Sequence, residues 1–379
     1  MTAAGQRGGR RPQDRTPQGR YARHALVPGW DQQRLAGATV VLAGAGALGN
    51  AVAQSLALAG LGRLVVTDPD TVEVANLSRT PLFRAADVGR PKARVLAEAL
   101  AGLAPDTVVD AREAPHVSGV GLAELREADL VVAALDSRAA RIQLAGRCTL
   151  AGTGLLDGGT HPWGGETCWY PPGGRCRACG LTPAERAVQD DPWSCAAPGP
   201  LAPAGASAPV SALVGAWLAN FAVRLLLRLS VPEGPLRIDA AGSASPLGGA
   251  WRPGADPDCP LHERLPGQVP VLPLDGRATV GELLAHVGAE EEPLTWAGFA
   301  RPVRGRPALR SVTTRLRSAP AAARLVDLGV APREILPVAR RDGAGLRYVE
   351  LAPAGDDVAG VIGEGGTAGG RRATTEGVR

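Results

Sequence analysis

Short β-branched runs alternate with helix-period segments along the first half of the chain. Residues 39–43 (TVVLA) are almost continuously apolar, as in a strand buried on both faces. After GAGALG, residues 50–60 (NAVAQSLALAG) follow helical spacing and stop at Gly60. Residues 63–68 (RLVVTD) predict a second strand ending at Asp68. Helices are predicted at 92–103 and 121–128, and strands at 107–113 and 129–135. This alternation predicts an α/β fold, a doubly wound parallel sheet with helices on both faces. Further strands are expected at 153–159, 165–172 and 235–243. Pro and Gly crowd residues 196–209, which reads as a mobile crossover loop. The longest apolar run, residues 208–229, is long enough to invite a transmembrane reading. Asn220 and Arg224 sit inside it and no second such run exists, so a buried helix is predicted and no membrane partner.

Beyond His262 the pattern loosens. A helix is expected at 280–288 and strands at 334–340 and 346–352. The expected organisation is an N-terminal arm (1–19), a main domain (20–263), a small appended domain (264–352) and a Gly/Thr-rich tail (353–379).

Composition narrows the class. Aromatic residues make up 3% of the 379 residues, so the core must be built from Leu, Val and Ala. A net charge of +4 is too small for a dedicated nucleic-acid binder of this length. The first twenty residues lack an apolar signal core, and the six cysteines therefore read as reduced thiols or metal ligands in a cytoplasmic protein.

Gly44-Ala45-Gly46-Ala47-Leu48-Gly49 fits the G-x-G-x-x-G pattern between a predicted strand and helix. Glycines there admit a tight turn and close approach to a phosphate, which the helix N-terminus favours electrostatically. Asp68, at the end of the next strand, can accept hydrogen bonds from ribose hydroxyls. This much describes a nucleotide site, most often a dinucleotide site of an oxidoreductase. The following segment shifts the balance. It offers Asp70, Asn76, Arg79 and Lys92, a set better suited to a triphosphate. Lys92 is the only lysine among 41 Lys+Arg residues, which marks it for a role arginine cannot fill. Asp136 ends a predicted strand, where a carboxylate can hold Mg²⁺ against phosphate oxygens.

Cys176-x-x-Cys179 and Cys259-x-x-His262 offer three thiolates and one imidazole, a tetrahedral set suited to structural zinc. Cys148, on an apolar helix, and Cys168, on a strand, read as packing residues. His24 and His161 are assigned no role.

The motifs RYARH (20–24), GAGALG, DPDTVEVANLSR (68–79), VGRPK (88–92), ALDS (134–137) and the paired cysteine motifs occur in one order across residues 20–262. In that order they resemble the ThiF/MoeB/HesA adenylyltransferases, which activate ubiquitin-like and sulfur-carrier proteins. The resemblance implies a Rossmann-like, zinc-stapled fold, a homodimer, ATP and Mg²⁺. It also implies a small carrier protein with a Gly-Gly C-terminus, whose carboxylate becomes an acyl-adenylate. Gly46, Asp68, Asn76, Arg79, Lys92 and Asp136 then match the family's ATP-binding residues, with Arg79, Lys92 and Asp136 in catalytic roles; Gly44, Gly49, Asp70 and Ser137 are expected beside them at the nucleotide on the reading of the residues themselves. Arg23 corresponds to an arginine that reaches ATP from the partner subunit. Cys195 stands at the position of a cysteine that some members use to bond the carrier after adenylation, and others do without. The chain departs from the family pattern at Ala47, Thr80, Ser137 and His262. Adenylation of a peptide or small acid in a natural-product pathway remains an alternative. So, more distantly, do an NAD/FAD oxidoreductase and a non-catalytic scaffold.

Overall fold

The computed structural model describes residues 19–186, 205–239, 244–246, 254–296, 313–343 and 345–354. Its first sheet contains β1 (Thr39–Ala43), β2 (Arg63–Thr67), β3 (Val108–Arg112), β4 (Leu130–Ala133), β5 (Leu155–His161), β6 (Gly164–Tyr170), β7 (Gly234–Asp239) and β8 (Ala244–Pro246), in spatial order β3-β2-β1-β4-β5-β6-β7-β8. The helices between them are α1 (Gln32–Ala36), α2 (Ala47–Leu58), α3 (Lys92–Leu103), α4 (His116–Gly119), α5 (Leu122–Glu127), α6 (Arg138–Ala151), α7 (Pro183–Arg186) and α8 (Ala208–Leu226).

The expectation of a parallel sheet holds only from β3 to β5. Strands β6, β7 and β8 fold back antiparallel. The link from β5 to β6 is a tight turn at Pro162-Trp163, and a parallel partner would need a crossover of a dozen residues or more. Alternate side chains of the parallel strands feed two cores. Val40, Leu42, Leu64 and Val132 pack on the side of α2, α3 and α8. Val41, Ala43, Val65 and Val131 pack on the side of α5 and α6. Burial on both faces explains why these strands read as continuous apolar runs. Helix α8 is long and apolar enough to cross a membrane by length and composition. Instead Val214, Leu218 and Ala222 lie in the first core, against α2 and β5.

A second sheet follows, with β9 (Val271–Leu272), α9 (Val280–Ala285), β10 (Glu291–Trp296), β11 (Thr313–Arg315), β12 (Ile335–Arg340) and β13 (Leu346–Leu351) in spatial order β11-β10-β12-β13-β9. Its own core joins Val280 and Leu283 of α9 to Leu336, Val338, Val349 and Leu351. This sheet docks on α5 and α6. Arg147 and Glu334, with side chains 1% and 2% exposed, pair at 2.8 Å across the junction. A Cβ at Gly121 would lie 2.0 Å from the Pro332 carbonyl, so only glycine allows this approach.

Candidate functional site

Strands β1 and β4 are neighbours in the sheet but not in sequence. Between them lies the topological switch point, where open α/β sheets bind ligands at the carboxyl ends of their strands. The glycine loop leaves β1 at this point. Gly44 has φ +101°, and a Cβ there would lie 2.5 Å from the Ala134 carbonyl at the end of β4. A Cβ at Gly49 would lie 2.0 Å from the Gly44 carbonyl. Both positions therefore demand glycine. Gly46 differs: among the described residues, no atom beyond its chain neighbours lies within 4 Å of a Cβ placed there, so the loop opens onto space at the N-terminus of α2. Gly46 caps α2 without a side-chain acceptor, leaving first-turn N–H groups available to an anion.

Asp68 follows β2 and is buried. Its carboxylate accepts hydrogen bonds from the N–H groups of Ala45 (2.6 Å) and Asp70 (2.9 Å), which ties the glycine loop to the end of β2. Burial pushes its carboxyl above the usual range, while those two N–H groups and the Lys92 ammonium pull the other way. Asp70 in turn pairs with Lys92 at 2.8 Å, and its carbonyl accepts from the Lys92 N–H at 2.9 Å. Lys92 opens α3 with its side chain 12% exposed, so its ammonium is held at the site rather than free in solvent.

The other predicted residues surround this cluster. Buried Asn76 spends its side-chain oxygen on the Glu73 N–H at 3.0 Å, and its amide nitrogen is the part left for a ligand. Arg79 donates to the Ala75 carbonyl at 2.6 Å. The Thr80 hydroxyl, at one of the departures from the family pattern, donates to the Asn76 carbonyl at 2.8 Å. Asp136 is exposed on the turn after β4, and Ser137 caps α6 by accepting from the Ala140 N–H at 3.1 Å.

Arg23 is not brought to this cluster. It is exposed, and its segment is anchored by Arg20 to the Leu103 carbonyl and by Tyr21 to Asp106 at 2.9 Å. Those anchors lie at the far end of α3, about 17 Å from Lys92 by helical rise. Cys195 lies outside the described residues, as does most of the predicted crossover loop.

Two features at the site escaped the sequence reading. Asn50 is fully buried; its amide donates to the Ala45 carbonyl at 2.8 Å and its oxygen accepts from the Leu82 N–H at 3.3 Å. It fastens the glycine loop to the segment after Thr80. An amide in the first turn of a largely apolar helix was its available signal. Asp157, 6% exposed near the middle of β5, pairs with Arg141 at 2.5 Å. A carboxylate in the apolar run 153–159 was the sign of it.

A second cluster lies after β6. Cys176 Sγ is 3.7 Å from both Cys179 Sγ and Cys259 Sγ, and Cys179 Sγ is 3.0 Å from His262 Nε2. The four donor atoms all lie within 4.8 Å of one another. Tetrahedral ligands about 2.3 Å from zinc would sit about 3.8 Å apart, so the thiol spacing fits that ion. The Cys176 N–H also points to Cys179 Sγ at 3.3 Å, an amide-to-sulfur contact suited to thiolate charge. Burial pushes the Cys148 and Cys168 thiols up to about 12, in keeping with their expected packing role.

Together these features define a Rossmann-like α/β protein with a glycine loop at its switch point, a Cys₃His knuckle and an appended C-terminal sheet. More particularly, the chain belongs to the ThiF family, which matches residues 20–246. It is 35% identical over 216 residues to the sulfur carrier protein adenylyltransferase of Thermus thermophilus, covering 56% of this chain and 79% of that one. It is 42% identical over 152 residues to human ubiquitin-like modifier-activating enzyme 7, covering 37% of this chain but only 15% of that much longer protein. Among solved structures, microcin C7 biosynthetic enzyme MccB in complex with N-formylated MccA matches with TM-score 0.52 and 24% identity over 66% of this chain and 77% of that one, a likeness of fold.

Proposed function

We propose that this chain is an ATP-dependent adenylyltransferase acting on the C-terminal carboxylate of a small ubiquitin-like or sulfur-carrier protein. The observation that carries the reading is the joined set Gly44–Gly49, Asp68, Asp70 and Lys92 at the switch point, beside the turn bearing Asp136. The ribose falls to Asp68 and the phosphates to the open face of Gly46 and the N-terminus of α2. A carboxylate oxygen of the carrier attacks the α-phosphorus. The bond to pyrophosphate breaks, and acyl-adenylate and pyrophosphate result. The nucleophile is already an anion, so no general base is required.

Lys92 and Arg79 stabilise charge on the departing pyrophosphate, Lys92 exchanging Asp70 for phosphate oxygens and Asn76 donating its amide. Mg²⁺, bound at Asp136, would neutralise phosphate charge during the reaction. Zinc held by Cys176, Cys179, Cys259 and His262 supplies stability, and thiolate ligands suit the reducing cytoplasm. The segment bearing Arg23 is anchored at the end of α3 away from Lys92, which supports a homodimer in which each Arg23 completes the partner's site. Cys195 is dispensable for adenylation and available for a later covalent step. Residues 20–263 form the adenylation domain and 264–352 a separate accessory domain.

A second reading, adenylation of a peptide or small acid, is favoured by the sheet docked on α5 and α6 through the buried Arg147–Glu334 pair. ATP–pyrophosphate exchange with candidate carriers ending in Gly-Gly, followed by intact mass of the carrier, tests the first reading. Exchange supported only by a peptide or small acid would favour the second. No exchange with any carboxylate, from protein that binds ATP, would refute both.

A further inference from the structure

Asp136 projects from a turn whose backbone has already left the sheet, so something must hold that turn. Ser137 fixes one side by capping α6. The other side is held by Arg141, whose Nη2 donates to the Leu135 carbonyl, one residue before Asp136. The same guanidinium donates through Nη1 to Asp157 Oδ1 at 2.5 Å. Asp157 is 6% exposed and Arg141 13%. The second oxygen of Asp157 lies 3.2 Å from Arg177 Nε, a charge contact without hydrogen-bond alignment. Arg177 stands between Cys176 and Cys179 in the knuckle. Gly159 makes room for the fork, since a Cβ there would come within 3.1 Å of Arg141 Nη2.

We infer that Arg141 is a positioning residue for Asp136, and that Asp157 and Arg177 hold it, so that one polar chain joins the Cys₃His knuckle to the nucleotide site. The inference rests on the adenylation reading for the role of Asp136. The physical reason is geometric. A guanidinium can donate to a carbonyl and a carboxylate at once in fixed directions, whereas an ammonium is a compact point charge on a flexible stem. Asp157 is nearly inaccessible to water, and its two oxygens are divided between two cations from different elements. Movement of the knuckle would therefore reach the Leu135–Ser137 turn through Arg177, Asp157 and Arg141. The knuckle would then act on the reaction as well as on stability.

The test uses the full-length chain and the variants Arg141→Lys, Arg177→Gln and their combination. Four quantities are measured: zinc content, Tm, the Mg²⁺ concentration for half-maximal ATP–pyrophosphate exchange, and calorimetric ATP affinity as a function of Mg²⁺. Groups that orient a metal ligand typically alter metal affinity by 10–100-fold, so Arg141→Lys should raise the Mg²⁺ midpoint at least about tenfold. Zinc content should stay unchanged, and so should ATP affinity at saturating Mg²⁺. Arg177→Gln should shift the midpoint in the same direction by less. The combined variant should be no worse than Arg141→Lys alone, because Arg177 acts only through Arg141. A lower Tm with an unmoved Mg²⁺ midpoint would reduce the cluster to a structural one and overturn the inference. Additive shifts would break the link to the knuckle. A parent chain that binds Mg-ATP yet exchanges no pyrophosphate would refute the adenylation reading instead. In that case the Mg²⁺ dependence of ATP binding would still decide the role of Arg141.

Discussion

Glu334→Ala is expected to loosen the C-terminal sheet severely, because this one carboxylate serves three donors at the junction. It accepts from Arg147 Nη2 at 2.8 Å, from the Leu122 N–H at 3.1 Å and from the Ile335 N–H at 3.0 Å. Alanine would leave Arg147 buried with only the Val120 carbonyl, at 2.7 Å, as partner. Removing one member of a buried ion pair costs about 3–5 kcal/mol, largely as the penalty of the stranded charge. The Leu122 N–H also loses its acceptor, which adds about 1–3 kcal/mol where water cannot reach it. Against a domain stability of about 5–15 kcal/mol, that is a large share. The pair itself is a different quantity. Arg147→Met with Glu334→Leu strands no charge, though the Leu122 N–H still loses its acceptor, so it should be more stable than Glu334→Ala by about 3–5 kcal/mol. Urea unfolding of the parent, Arg147→Met, Glu334→Leu and the double variant gives the coupling directly, provided the m-values agree. A loss below about 1 kcal/mol in Glu334→Ala would refute the stranded-charge reasoning. So would a double variant as unstable as Glu334→Ala.

Lys92→Arg should fold and keep its zinc but lose about a hundredfold in pyrophosphate exchange, near 3 kcal/mol of transition-state stabilisation; a variant as active as its parent would remove Lys92 from the reaction. Amine-directed labelling gives a second measure of the same point, since saturating Mg-ATP should shield Lys92 and leave the N-terminal amine reactive. Elemental analysis of protein purified without chelator should find about one zinc per chain, and Cys179→Ser should lower both zinc content and Tm. His116 is buried with Nε2 unpartnered, and burial, aided by the Arg147 charge, holds it neutral down to about 3. The folded state therefore binds fewer protons than the unfolded one, whose histidine titrates near 6.5. Stability should fall by about 2 kcal/mol between pH 7 and pH 5 and go on falling toward the folded pKa. His116→Gln should flatten that segment of the curve, and an unchanged slope would show that other groups drive it.

Much of the candidate site's arrangement was legible in the sequence because its parts are local. A glycine loop needs only neighbours in the chain to turn tightly, and Asp68 lies one strand further on. The strands announced themselves because both faces are buried, as for Val40 and Val41 on opposite sides of β1. The knuckle could be read because two half-sites of matching spacing and donor chemistry are rare by chance. The antiparallel return of β6 to β8 followed from the shortness of a single turn, which periodicity does not register. Three further features were left to tertiary structure. The placement of the Arg23 segment depends on which end of α3 it meets. The Arg147–Glu334 and Arg141–Asp157 pairs join charges with no fixed spacing in sequence, and Arg147, Glu334 and Arg141, read alone, could each pass for a solvated surface charge. Only burial makes such a charge need its partner, and burial is a property of the packed chain.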